Sequence, residues 1–136
     1  MKNKVSALGF LSDAEIILEE ASTSFERGRW HRVVRKCQEA TELSVKALFK
    51  YLGLEYPKSH ILGRLIKKEI GRHKLFENEE LNKIAFITDA LAFDREPSFY
   101  GSPDGVAASE LFAKDDAEEA LKNSEWLIRM IRSVLK

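Results

Sequence analysis

RWHRVVRKCQEATELSVKALFKYLG, residues 29–53, is the longest uninterrupted helical pattern in the chain. At about 100° per residue, Trp30, Val34, Cys37, Thr41, Val45, Leu48 and Leu52 fall on one stripe, with Val33, Ala40, Ser44 and Tyr51 beside it. A face that broad needs more than one neighbour, so this helix is expected at the centre of the fold. Arg32, Arg35, Lys36, Glu39 and Lys50 make the opposite, solvated side. Arg35 with Glu39 and Glu42 with Lys46 are i,i+4 pairs worth roughly 0.2–0.5 kcal/mol each. Gly28 ends whatever precedes the helix. Gly53 stands where a left-handed closing residue is wanted, and Leu54 supplies its apolar contact.

Outward from this helix the chain reads as more helices. Upstream, Ser12-Asp13-Ala14-Glu15 has the form of a capping box, and Ala14, Ile17, Leu18, Ala21 and Phe25 follow at helical spacing. The connection at Gly28 is so short that these two helices are expected antiparallel. Downstream, Pro57 interrupts, Ser59 caps a third helix carrying Ile61, Leu62, Leu65, Ile66 and Ile70, and Gly71 closes it. A fourth begins near Asn78, with Leu81, Ile84, Ala85, Thr88, Leu91 and Ala92 in core register and Phe86 and Ile87 widening the face. The last runs from about Asp115 to Lys136, with Ala117, Ala120, Leu121, Ser124, Leu127, Ile128, Ile131, Val134 and Leu135 facing inward. Asp115 and Asp116 suit its positive end, although Lys114 is a weak residue for its start. With no alternating strand pattern and no repeat, the expectation is an all-α up-and-down bundle of four to five helices in one domain, 1–136.

Composition narrows the function classes. Twenty-two basic and twenty-two acidic residues cancel, so nucleic-acid binding would require a local patch rather than a global field. The single cysteine, Cys37, forbids an internal disulfide and reads as an inert core residue in a reducing, cytoplasmic setting. No stretch approaches a membrane span. Glu-x-x-His, zinc-ligand spacing and phosphate-loop motifs are absent, so no metal and no cofactor are expected.

QEATELSVKAL at 38–48 resembles the second-helix signature of HEPN domains, small helical proteins found beside nucleotidyltransferases and in RNA-cleaving toxins. SHILGRLI at 59–66, REPSFYG at 95–101 and SELFAKDDAEEAL at 109–121 follow in the order and rough spacing of that family. The resemblance covers nearly the whole chain and implies an HEPN-like bundle. In the family's ribonucleases an arginine is followed four to six residues later by histidine. The histidine shuttles protons near pH 7 while the arginine meets charge gathering on the phosphorus. Here Arg95 is present, but Tyr100 stands where the histidine is expected, and a phenol of pKa about 10 is a poor substitute. His60 resembles a family position and reads as structural.

The segment from Asp94 to Lys114 is longer than bundle connections usually are. Phe99, Tyr100, Val106, Leu111 and Phe112 should fold it onto the bundle and hold Arg95 and Tyr100, the two candidate catalytic residues. Arg95 either binds phosphate or pins the loop by a salt bridge to Glu42 or Glu96. Gln38, Glu42 and Lys46, spaced by four, form either a solvated flank or the polar wall of a phosphate-binding cleft shared with Arg95.

The resemblance thus implies a nucleotide- or polynucleotide-binding partner of a minimal nucleotidyltransferase, with little or no catalysis. The alternatives are a metal-independent, toxin-like endoribonuclease using Arg95, and a ligand-free interaction module. Leu43, Trp126 and Met130 lie outside the core stripes, so a homodimer is expected with its two-fold axis near the Arg95 loops.

Overall fold

Asn3 accepts the amide of Ser6 on its side-chain oxygen at 3.0 Å, and this cap starts α1, Lys4–Glu26. In the computed structural model, which describes residues 3–58 and 62–135, the first helix therefore begins two turns before Ser12. The expected box at Ser12 to Glu15 does not form. Ala7, Leu11 and Ala14 are buried on one side of a continuous helix, and the Glu15 carboxylate pairs with Arg132 near the other end of the chain. Gly28, at φ 67°, turns the chain, and the rings of Phe25 and Trp30 meet edge to face across the turn at 5.2 Å. Central α2, Trp30–Leu52, then runs back along α1. Asn3 donates its amide to the Lys50 carbonyl at 3.0 Å, which ties the start of α1 to the end of α2.

The helix α2 closes as its glycine suggests. Gly53 adopts φ 71°, its amide reaches Lys50 and that of Leu54 reaches Phe49, the paired bonds of a Schellman close. Val33, Val34, Cys37, Ala40, Thr41, Val45, Leu48 and Leu52 are buried as the stripe requires. Gln38, Ala47 and Phe49 are buried as well, because α2 touches α1, the final helix, the fourth helix and the loop helices together. Burial of Cys37 pushes its thiol up to about 12, even though Ser124 hydrogen-bonds to it.

The third helical stretch changes pitch along its length. It opens as α3, Gly63–Leu65, continues as a π-helical turn over Ile66–Ile70, tightens to 3₁₀ over Gly71–His73, and is closed by Lys74 at φ 52°. Gly71 therefore does not end it. Ser59, His60 and Ile61, to which the sequence assigned a cap, a structural histidine and a core position, lie outside the described residues. Among the described residues the cap comes from another helix: Asp89 Oδ1 accepts the amides of Leu62 at 3.1 Å and Gly63 at 2.9 Å. A side chain at position 63 would place its Cβ 2.2 Å from the Asp89 carboxylate, so this backbone can approach Asp89 only as glycine.

The fourth helix, α4, Asn78–Phe93, starts in a capping box made by Glu77 and Glu80. Ile87 is buried, but Phe86 is 68% exposed and so lies outside the core register. The long connection holds two short helices, α5, Pro97–Tyr100, and α6, Ala108–Leu111. Pro97 occupies the first turn of α5, where its missing amide costs nothing. Gly101, at φ 84°, has no room for a Cβ against the Val106 carbonyl. The last helix, α7, Lys114–Val134, starts at Ala113, which has no capping side chain. Asp116 compensates by accepting the Ala113 amide at 2.8 Å. The result is an all-α bundle centred on α2, with no strand among the described residues. No helix among them is long and apolar enough to cross a membrane.

Candidate functional site

Four side chains singled out in the sequence come together. Gln38, Glu42 and Lys46, on one edge of α2, and Arg95, just beyond α4, line a single cleft of about 740 Å³. That volume falls in the usual range for small-ligand sites. Thr41 and Lys50 add to the α2 wall, Phe10 comes from α1, Thr88 and Leu91 from α4, and Tyr56, Pro57 and Lys58 from the connection after α2.

The loop carrying Arg95 is held from α2. The Arg35 Nη1 donates to the Arg95 carbonyl at 2.8 Å, and its guanidinium lies 5.0 Å from the centre of the Phe99 ring. Ser98 Oγ donates to the same carbonyl at 3.2 Å. Arg35, expected to be solvated, has a side chain only 18% exposed and reaches Glu39 at 4.0 Å. The anchor engages the backbone carbonyl of Arg95, a residue that lines the cleft. The expected salt bridge from Arg95 to Glu42 or Glu96 does not form among the described residues.

The pair between Glu42 and Lys46 is also replaced. Lys46 sets its ammonium 5.1 Å from the centre of the Tyr56 ring, and Lys50 sits 5.0 Å from that of Phe10. Cation–π contact of this kind uses the aromatic faces to hold the lysines at the cleft. Lys46, Lys50, Lys58 and Arg95 face only Glu42 and Glu55, so the described lining has a surplus of two positive charges. Burial, with the Glu42 carboxylate nearby, raises the Tyr56 phenol further above its ordinary value. It stays protonated at neutral pH.

Two polar groups at the bottom of the cleft are unusual. Gln38 is 4% exposed and Thr41 2% exposed. The Oγ1 of Thr41 has no hydrogen-bond partner among the described residues, a situation that costs about 1–3 kcal/mol for a buried polar group.

Tyr100 is not part of this lining. It is 77% exposed and leans edge to face on Phe99 at 4.6 Å. Phe99 is itself exposed, so the loop folds back on the bundle mainly through Ser98, Gly101 and Ala108, which are buried. No group of three His, Cys, Asp or Glu able to hold a metal occurs among the described residues. Lys50 is legible in the sequence as the next member of the 38, 42, 46 series, one turn further on. Thr41 is hidden there in the apolar stripe, and Tyr56 and Lys58 carry no pattern that marks them as part of a site.

The family profile described as the HEPN domain matches residues 7–134. The crystal structure of TT1696 from Thermus thermophilus superposes with a TM-score of 0.77 at 18% identity, over 94% of this chain and 97% of that one. That of ST0689, an archaeal HEPN homologue, superposes at 0.72 with 22% identity over 100% of both chains. At such identities the likeness speaks for the fold alone. No curated protein matches.

Proposed function

This chain belongs to the HEPN domain family, and from that premise we propose that it binds the phosphate of a nucleotide or polynucleotide in the cleft between α2 and Arg95, with little or no catalysis. The observation that carries the reading is the charge of that cleft. In a chain whose charges cancel, four cations converge there on a concave surface with only two carboxylates, and a concave wall of low dielectric strengthens their field. Lys46 and Arg95 are the principal phosphate ligands, with Lys50 and Lys58 beside them, while Gln38 and Glu42 form the polar wall.

Two features speak against RNA cleavage. The Tyr56 phenol is shifted away from neutrality, and Tyr100 stands in solvent rather than beside Arg95 in the cleft. The first is unsuited to accept a proton near pH 7, and the second lies outside the cleft. Incubation with end-labelled RNA in EDTA tests the reading. A salt-sensitive mobility shift of intact RNA is the expected result. Cleavage above an Arg95→Ala control would replace it with the endoribonuclease reading, and no shift at any salt concentration would leave a ligand-free interaction module.

The assembly follows from the same premise. A second copy of this chain covers the apolar surface near the Arg95 loop, where Phe93 is 82%, Phe99 51% and Tyr100 77% exposed. Leu43, Trp126 and Met130, which the sequence suggested for this role, are half-buried against the core instead. The protein partner carried over from the resemblance is a minimal nucleotidyltransferase, and co-elution of the two purified proteins tests it. A single buried, free thiol suits a cytoplasmic location.

A further inference from the structure

The two lysines that α2 places in the cleft both rest on rings. The Lys46 ammonium lies 5.1 Å from the centre of Tyr56, and that of Lys50 5.0 Å from the centre of Phe10. Rings and lysines alike line the cleft, so each lysine covers the face that its ring turns toward the cavity. Behind Tyr56, the buried Phe49 ring meets it edge to face at 5.4 Å, which fixes the plane of the phenol against the core. Glu42, one turn before Lys46 on the same edge of α2, makes no ion pair with it among the described residues. Each ammonium therefore keeps its charge for an incoming anion, and the contact that holds it is one that a phosphate outcompetes.

A phosphate that draws the lysines away bares both aromatic faces. A ligand of phosphate alone leaves them to water, whereas one with a flat aromatic group beside its phosphate covers them again. We infer that Tyr56 and Phe10 are stacking faces for nucleobases, and that the cleft takes single-stranded polynucleotide by its bases as well as its phosphates, without choosing among the bases. The inference rests on the phosphate-binding reading above and adds what lies beside the phosphate. Two pairs of ring and lysine, with Lys46 and Lys50 one turn apart on α2, repeat the unit that a strand repeats, a base and a phosphate. A duplex has its bases stacked on one another already, so it has no free face to offer. Every base has a π face, and stacking therefore tolerates sequence. Burial keeps the Tyr56 phenol protonated, so this platform brings no negative charge beside a phosphate.

Fluorescence anisotropy of the full chain with two labelled strands tests this, one an oligothymidylate and the other an abasic strand with the same number of phosphates. The oligothymidylate should bind about tenfold more tightly than the abasic strand, and oligoadenylate and oligocytidylate within about threefold of oligothymidylate. Tyr56→Leu combined with Phe10→Leu should bring the oligothymidylate and the abasic strand to the same affinity. Tyr56→Phe should keep the difference between them, which separates loss of the ring from loss of the fold. Rings that only hold Lys46 and Lys50 in place would weaken both strands alike on substitution, and an unchanged ratio in the double variant would overturn the stacking role. Equal, salt-sensitive binding of both strands by the wild type would overturn the platform and leave the phosphate site standing. A preference of more than about tenfold for one base would also overturn it, since that is the mark of edges being read rather than faces. Binding of neither strand would remove the phosphate reading and the platform with it.

Discussion

Arg35 holds Arg95 by its backbone, with Nη1 donating to the Arg95 carbonyl at 2.8 Å while the guanidinium stacks over Phe99. The cleft arginine is thereby positioned by a second arginine outside the cleft. Arg35→Ala is expected to destabilise by roughly 1.5–3 kcal/mol in urea, the usual range for a charged hydrogen bond, and to weaken phosphate binding although Arg35 touches no ligand. Arg35→Lys should recover only part of both, since an ammonium cannot stack and donate as a planar fork does. Unchanged binding by Arg35→Ala would show that the loop needs no such anchor.

Gly63→Ala should cost about 2 kcal/mol in a urea titration. The added Cβ would lie 2.2 Å from Asp89 Oδ2, so the carboxylate must leave the Leu62 and Gly63 amides that it caps. Asp89→Ala should cost a similar amount, and the double variant little more than either alone, because both remove the same interaction. Additive losses would mean that the cap and the close approach are unconnected.

Leu48, fully buried at the middle of α2, should cost roughly 2–5 kcal/mol when cut to alanine, for lost burial and a residual cavity. Glu39→Ala should change stability by no more than about 0.5 kcal/mol, since its partner Arg35 lies 4.0 Å away and the carboxylate is 39% exposed. A loss below about 1 kcal/mol at Leu48, against the range expected for such a truncation, would contradict the centrality of α2.

The Cys37 thiol gives an alkaline signature. Its folded value, about 12, lies above the ordinary 9.0, so between these values the folded chain holds a proton that the unfolded chain has released. Its contribution is fully present below pH 9 and is lost as pH rises toward 12. Unfolding free energy should therefore fall more steeply over pH 9 to 11 for wild type than for Cys37→Ala. Parallel curves would show that the thiol is not protected by burial.

How far the sequence reaches follows from where each signal lies. The limits of α2 are legible because its apolar arc and its two glycines are local. The start of α1 is not, because a four-residue box pattern at Ser12 outweighs Asn3 in the sequence, while Glu15 is claimed by Arg132, 117 positions away. The opening of the third helical stretch cannot be read from its own residues, since its cap belongs to α4. Likewise the spacing of Gln38, Glu42 and Lys46 marks one wall of the cleft, but Tyr56, Lys58 and Phe10 join it only through tertiary contact.

Light scattering at micromolar concentration should give twice the chain mass if a second copy covers the exposed apolar surface. Phe93→Glu, at a position already 82% exposed, should give the monomer without loss of helicity. A wild-type monomer would remove the proposed interface and leave the cleft of each chain intact.

The most direct test of phosphate binding is a fluorescence anisotropy titration of a labelled oligonucleotide with wild type, Arg95→Ala and Lys46→Ala. Each variant is predicted to bind about tenfold more weakly or worse, and to lose affinity with added salt less steeply than wild type, because one fewer phosphate contact releases counterions. Wild-type affinity and wild-type salt dependence in both variants would contradict the assignment of the phosphate to this cleft.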